Sequence, residues 1–183
     1  MNNITVVGSI SSELNNDHKI YGKSFYRFYV DIMRDSGVID RLPVITDKNI
    51  SINVGETVLV KGQCRTHRDR GKLLIYIYAL SIEFLNYSDN YNDVFLVGVI
   101  NKPPTYRLTP LGKEISDINL KVIRANKADY LPCVVWGNNA RIISKMSVGD
   151  PIRVAGRLQS RKYDKDGEIK TAYEISVKLV ELI

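Results

Sequence analysis

Apolar residues fall at every second position over short runs of this chain, as they do in strands that bury one face and expose the other. Ile118, Leu120 and Val122 alternate with Asn119 and Lys121, and Ile152, Val154 and Leu158 alternate with Arg153, Arg157 and Gln159. Tyr173, Ile175, Val177 and Leu179 alternate with Glu174, Ser176 and Lys178 in the last run. Gly, Pro, Asn and Asp bound these segments, as turn residues should. Between two of them, residues 138–146 carry Ile142, Ile143 and Met146 at helical spacing with Gly149 beyond, predicting a short helix and its stop. Asp164-Lys165-Asp166-Gly167 predicts a hairpin turn. Three strands, a short helix and two strands is the order of an OB-fold, a five-stranded Greek-key barrel.

The pattern is written twice. Val54-Gly55-Glu56 through Gly62 returns as Val148-Gly149-Asp150 through Gly156, and Gly8, Gly22-Lys23 and Arg34 return as Gly98, Gly112-Lys113 and Arg124. The expectation is an all-β chain of two tandem OB-folds: a diverged copy over 1–86, a polar linker over 87–93, and a second copy over 94–183 that holds the helix between its third and fourth strands. In the first copy residues 46–53 carry little helical pattern, so a helix there is doubtful. Residues 73–80 are apolar on both faces, which points to a covered strand at a subunit or interdomain interface.

Charge adds a candidate partner. The 183 residues hold 26 Lys/Arg against 20 Asp/Glu, a net +6, with an excess of +2 in residues 1–86 and +4 in residues 87–183. A polyanion suits such a chain. Arg153, Arg157, Gln159 and Arg161 share one face of the fourth strand, with Lys162 just beyond and no acid among them, a row suited to phosphates. Its bland counterpart is a solvated outer face. Trp136 ends the third strand, Tyr130 lies six residues earlier on the same face, and Tyr163 sits among Arg161, Lys162 and Lys165. Aromatics between bases suit single-stranded nucleic acid, because stacking contributes about 1–3 kcal/mol per base. A core role is equally open to Trp136, while Tyr163, in a charged loop, is harder to place inside.

These residues carry a resemblance. Val94 to Ile100, Tyr106-Arg107-Leu108-Thr109-Pro110-Leu111-Gly112, Val134-Val135-Trp136-Gly137, Val148-Gly149-Asp150 and Ile152 to Tyr163 resemble the bacterial single-stranded DNA-binding protein family over about residues 93–182. The resemblance implies that Trp136, Tyr130 and Tyr163 stack on bases. Arg107 and Arg124 join Arg153, Arg157, Arg161 and Lys162 as candidate nucleic-acid contacts. A further stacking aromatic of the family falls near Asn126, so that platform is absent. The first half looks like a diverged copy through Ile4 to Gly8 and Gly55 to Gly62. Asp47 stands there where the second half has Trp136, and its hairpin, His67 to Gly71, reads as two residues shorter and lacks an aromatic. Lys61, Arg65 and His67 share a face and leave backbone contact open; stacking would fall to Tyr21, Phe25, Tyr26 or Tyr29.

The expected function is non-enzymatic, sequence-independent binding of single-stranded DNA in replication, recombination, repair or mobile-element transfer, by a homodimer presenting four OB-folds. Two histidines, no nucleophile motif and no phosphate-cradling loop offer no catalytic constellation. Cys64 and Cys133 have no ligand-spaced neighbours, so no metal, cofactor or disulfide is expected, and a reducing compartment is. No apolar run approaches a membrane span and no secretory leader is evident, which points to a soluble, cytoplasmic protein. The sequence stops at Val180-Glu181-Leu182-Ile183 without the acidic tail usual in the family, so the tail was removed or the recruiting function is absent. The competing reading is a protein-assembly OB-fold, primosome-like or for mobilisation, with weak or no nucleic-acid binding.

Overall fold

Strand alternation closes the sheet twice. The computed structural model describes residues 1–183 and divides into two units, Asn3–Arg65 with Ile75–Asn92, and Met1–Asn2 with Thr66–Leu74 and Asp93–Ile183. The first, the amino-terminal barrel, is built on β1 (Asn2–Ile10), β2 (Asn15–Ile20), β3 (Lys23–Met33), β4 (Ile39–Thr46), β5 (Thr57–Asp69) and β6 (Lys72–Leu85). Its strands run in the order β2-β3-β4-β6-β5-β1, and β1 returns to β3 at Ser9–Asp31 and Ile10–Val30. β4 and β6 are parallel, pairing at Val44–Ile77. Phe28, Val30, Leu42, Val44, Val58, Val60 and Ile77 fill the interior and are fully buried.

The carboxy-terminal barrel repeats the plan with β7 (Tyr91–Ile100), β8 (Thr105–Leu108), β9 (Glu114–Arg124), β10 (Lys127–Trp136), α1 (Asn138–Ile143), β11 (Pro151–Lys165) and β12 (Glu168–Leu182). The order is β7-β11-β12-β10-β9-β8, with β7 closing on β9 at Val99–Lys121. β10 and β12 are parallel. Each unit is an OB-fold barrel. β2 and β8 are additional arms, folded back on β3 and β9 as hairpins.

The repeated glycines mark where two backbones touch. A Cβ on Gly8 would lie 2.4 Å from the Asp31 carbonyl oxygen, and one on Gly98 would lie 2.5 Å from that of Lys121. The Val-Gly-acid repeat is a turn pinned to the first strand: Gly55 N–H donates to Ile10 O and Gly149 N–H to Ile100 O, both at 2.8 Å, with φ of 96° at each glycine.

Four sequence expectations are corrected. The helix ends at Ile143, well before Gly149; it buries Ala140 and Ile143 at i, i+3 and leaves Ile142 exposed. Leu179 does not share the face of Ile175 and Val177. A bulge between Ala155 and Gly156 shifts the register and turns Leu179 out, 66% exposed. Gly156 permits this approach, since a Cβ there would lie 2.0 Å from Ser176 O. The hairpin after Gly62 is four residues shorter rather than two, because Gly62 meets Tyr78 O, 16 residues on, and Gly156 meets Ser176 O, 20 residues on. Finally, β6 is not apolar on equal terms: Ile75, Ile77 and Ala79 point inward, while Tyr76 and Tyr78 stand half-exposed outside.

Candidate nucleic-acid interface

On the carboxy-terminal barrel, register decides which side chains are neighbours, since paired residues share a face. One outer row runs Thr105, Asp117, Val134, Ser176, Arg157 across β8, β9, β10, β12 and β11. The row beside it places Arg107 opposite Ile115 and Ile115 opposite Trp136. Gln159 faces Glu174, and Arg161 faces Ala172. Arg107, Trp136, Arg157 and Arg161 therefore belong to one surface.

Trp136 is not a core side chain. It is 37% exposed and donates its indole N–H to Ser176 Oγ at 3.1 Å, which lays the ring across the sheet with one side open. Arg157 points Nε and Nη2 at Gln159 Oε1, at 3.4 and 3.3 Å, and has no carboxylate partner. Arg107 holds Asp117 with two hydrogen bonds of 2.6 and 3.3 Å. That hydrogen bond raises its pKa above the ordinary arginine value; desolvation opposes the shift, and the charges of Asp117 and Glu174 reinforce it.

The surface is not free of acids, contrary to the strand-by-strand expectation. The neighbouring β12 supplies Glu174, which accepts from Gln159 Nε2 at 2.9 Å and from Arg161 Nε at 3.4 Å, and Glu181, which holds Arg153 Nη1 at 2.6 Å. Arg153 is thus an ion-paired residue at the far end of β11, its guanidinium 5.8 Å from the Phe95 ring centroid.

Other sequence candidates are more scattered. Tyr130, 36% exposed, lies on the outer face opposite Lys121, about 20 Å along β10 from Trp136. Tyr163 rides on the β11–β12 hairpin with the Arg161 guanidinium 5.7 Å from its ring centre, and Lys162 is exposed on the opposite side of that ribbon. The hairpin turns at Asp166 and Gly167, both with positive φ, as the sequence pattern predicts. Arg124 points to the inner side, where its Nε meets the fully buried Asp129 at 3.1 Å; Asp129 also accepts the Thr66 N–H at 2.8 Å. That pair is structural.

Lys61 and Arg65 belong to the amino-terminal barrel. Lys61 is exposed opposite Thr5, and Arg65 packs its guanidinium 3.6 Å from the centre of the Tyr78 ring. Sequence reading missed Glu174, Ser176 and Asp117 as members of the surface, since only the parallel β10–β12 register and the extra arm β8 bring them beside Trp136 and Arg107.

The family model described as Single-strand binding protein family matches residues 91–183. Single-stranded DNA-binding protein 3 of Clostridium acetobutylicum is 37% identical over 101 residues, spanning 50% of this chain and 70% of that protein. Single-stranded DNA-binding protein 1 of Streptococcus pyogenes serotype M6 is 32% identical over 101 residues, 51% of this chain and 77% of that protein. Among solved structures, the wild-type single-stranded DNA binding protein from Thermus aquaticus superposes with a TM-score of 0.80 at 18% identity, over 100% of this chain and 93% of that one, a likeness of fold.

Proposed function

Because the chain belongs to the single-strand binding protein family, we propose that it binds single-stranded DNA without reading its sequence, bases stacking on Trp136 and phosphates meeting Arg107, Arg157 and Arg161. The observation that carries this reading is the half-exposed Trp136, anchored by Ser176 and bordered by an arginine that no carboxylate neutralises. Tyr163 and Lys162 extend the surface onto the β11–β12 ribbon, and Tyr130 marks its other end. The protein works by equilibrium contact rather than catalysis, in the cytoplasm, as a homodimer presenting four barrels; light scattering that gives a monomer mass refutes the last point. No helix is long and apolar enough to cross a membrane.

Trp136 is the only tryptophan, so intrinsic fluorescence reports directly on the site. Titration with oligo-dT should quench it, duplex DNA should not, and log affinity should fall with log salt by about 0.7 per phosphate contacted. Oligo-rU in the same titration separates DNA from RNA preference. Silence in fluorescence and in a direct binding assay would favour the protein-assembly reading.

A further inference from the structure

The amino-terminal barrel lacks the tryptophan: Asp47 occupies that place and is tied to Lys23 at 2.5 Å. Its outer face nevertheless carries a different set of rings. His18 on β2 stacks on Phe25 of β3 with centroids 4.7 Å apart and planes 7° apart. Phe25 in turn lies 6.4 Å from Tyr78 of β6, and the Arg65 guanidinium of β5 packs 3.6 Å from the centre of the Tyr78 ring. Four strands thus contribute to one ladder of three rings and a guanidinium. Lys23 stands 5.8 Å from the Phe25 ring centre, and Arg27, bound to Asp17 at 2.6 Å, follows it on β3.

The hairpin that presents His18 ends in an exposed aromatic ring. Tyr21 is fully exposed and holds φ of 48°, a region that costs a side-chain-bearing residue energy. Asn or Gly would make the same turn without that cost. Arg70, Ala125 and Asp166 hold the same backbone region in other hairpins; what sets Tyr21 apart is a large, fully exposed ring flanked by Lys19 and Lys23, placed for contact with something outside the chain.

We infer that this face, the His18–Phe25–Tyr78–Arg65 ladder with Tyr21 at the hairpin tip, is a second contact surface for single-stranded nucleic acid. It rests on the reading of the carboxy-terminal barrel only for the class of ligand; its residues are different and arise from other strands. Because its rings already stack on one another and on Arg65, a base gains less by joining them than by covering the open side of Trp136. The amino-terminal face is therefore the weaker of the two.

The test uses the full chain with Trp136→Ala and Arg157→Ala together, titrated by anisotropy against labelled oligo-dT of about 15 nucleotides, a length within one barrel's reach. Residual binding should remain, weaker by tenfold or more, and should drop at least another fivefold when Tyr21→Asn and His18→Asn are added. Both added changes fall on exposed hairpin residues, and Tyr21→Asn suits the positive φ. Photocrosslinking of the unsubstituted chain to bromodeoxyuridine oligonucleotides gives a readout independent of folding of the variants: adducts are expected at Tyr21, His18, Phe25 or Tyr78 as well as at Trp136. Adducts confined to residues 93–183, or residual binding absent or indifferent to the hairpin changes, would overturn the inference while leaving the function intact. Failure of the unsubstituted chain to bind any oligonucleotide would instead defeat the proposed function.

Discussion

Glu174 sits where a phosphate-binding surface should not tolerate a carboxylate, and replacing it gives the sharpest test of where the strand lies. Glu174→Gln keeps an acceptor for Gln159 Nε2 and the same shape, but removes the charge that Arg161 faces at 3.4 Å. A phosphate on the outer edge of Arg161 would lie about 7 Å from that carboxylate, and at that separation their repulsion is about 0.6 kcal/mol at ε of about 80 and about 2.4 kcal/mol at ε of about 20. Those limits correspond to roughly 3-fold and 60-fold in affinity. Screening over about 8–10 Å at physiological salt favours the lower part of the range.

The assay is the Trp136 titration with oligo-dT at several salt concentrations. The variant should bind about 3- to 10-fold more tightly near 0.1 M salt, with a salt slope steeper by up to about 0.7. The fold should be little affected, because Gln keeps the shape and the hydrogen bond from Gln159, and the Arg161 guanidinium that loses its partner is 57% exposed and stays hydrated. Unchanged or weakened oligo-dT binding in a folded variant would refute the assignment of phosphates to Arg161. Weakening confined to oligo-dC or oligo-dA would show instead that Glu174 accepts from base amino groups.

Further outcomes follow from the same geometry. Gly156→Ala sets a Cβ 2.0 Å from Ser176 O and should cost about 3 kcal/mol or more, a drop in Tm of roughly 6–12 °C by calorimetry; an unchanged Tm would contradict the close approach at the bulge. Asp129→Ala strands the Arg124 guanidinium and leaves the Thr66 N–H without its acceptor, so a loss of about 3–5 kcal/mol is expected in urea unfolding, and less than about 1 kcal/mol would make the pair superficial. Tyr163→Ala should weaken oligonucleotide binding several-fold with an unaltered melting curve; equal affinity would remove Tyr163 from the surface. Glu114, held below the ordinary glutamate range by its hydrogen bonds from Arg141 and then Tyr106, stabilises the fold fully above about pH 5 and loses that contribution as pH falls through its lowered folded pKa. The Tm gap between the native chain and Glu114→Gln should therefore be constant at neutral pH and shrink only under acid; a gap that persists at low pH would show a role other than charge.

The barrels were legible because period-two burial and repeated glycines are local signals. Ile152, Val154 and Leu158 are all buried as their alternation requires, and the Asp166-Gly167 turn stands where it should. What escaped was set by register between strands distant in sequence. No pattern within β11 announces that β12 will lay Glu174 and Glu181 beside its arginines, or that a bulge will reverse Leu179. Trp136 shows the same limit: its period is compatible with core or surface, and only the Ser176 hydroxyl beneath its indole N–H decides for a ring lying on the sheet. Arg124 failed as a surface candidate for a related reason, since its hairpin carries the parity of the strand inward to Asp129.

The two copies also show which positions a barrel leaves free. Gly8 and Gly98, Gly62 and Gly156, Gly55 and Gly149 meet the same backbone atoms or adopt the same φ in both units, because any Cβ at the first four would collide with a carbonyl and the last two need the left-handed region. Outer positions carry no such constraint. Where β12 holds Ser176 beneath a tryptophan, the matching strand β6 holds Tyr78 between Phe25 and Arg65, and the place of the tryptophan is an aspartate paired with a lysine. A Trp at 47 would meet, at the matching place on β6, the Tyr78 ring already packed against Arg65 rather than a short serine hydroxyl. The contact inferred for the amino-terminal barrel therefore draws on β2, β3, β6 and β5 and not on β4, the strand that matches the one carrying the tryptophan.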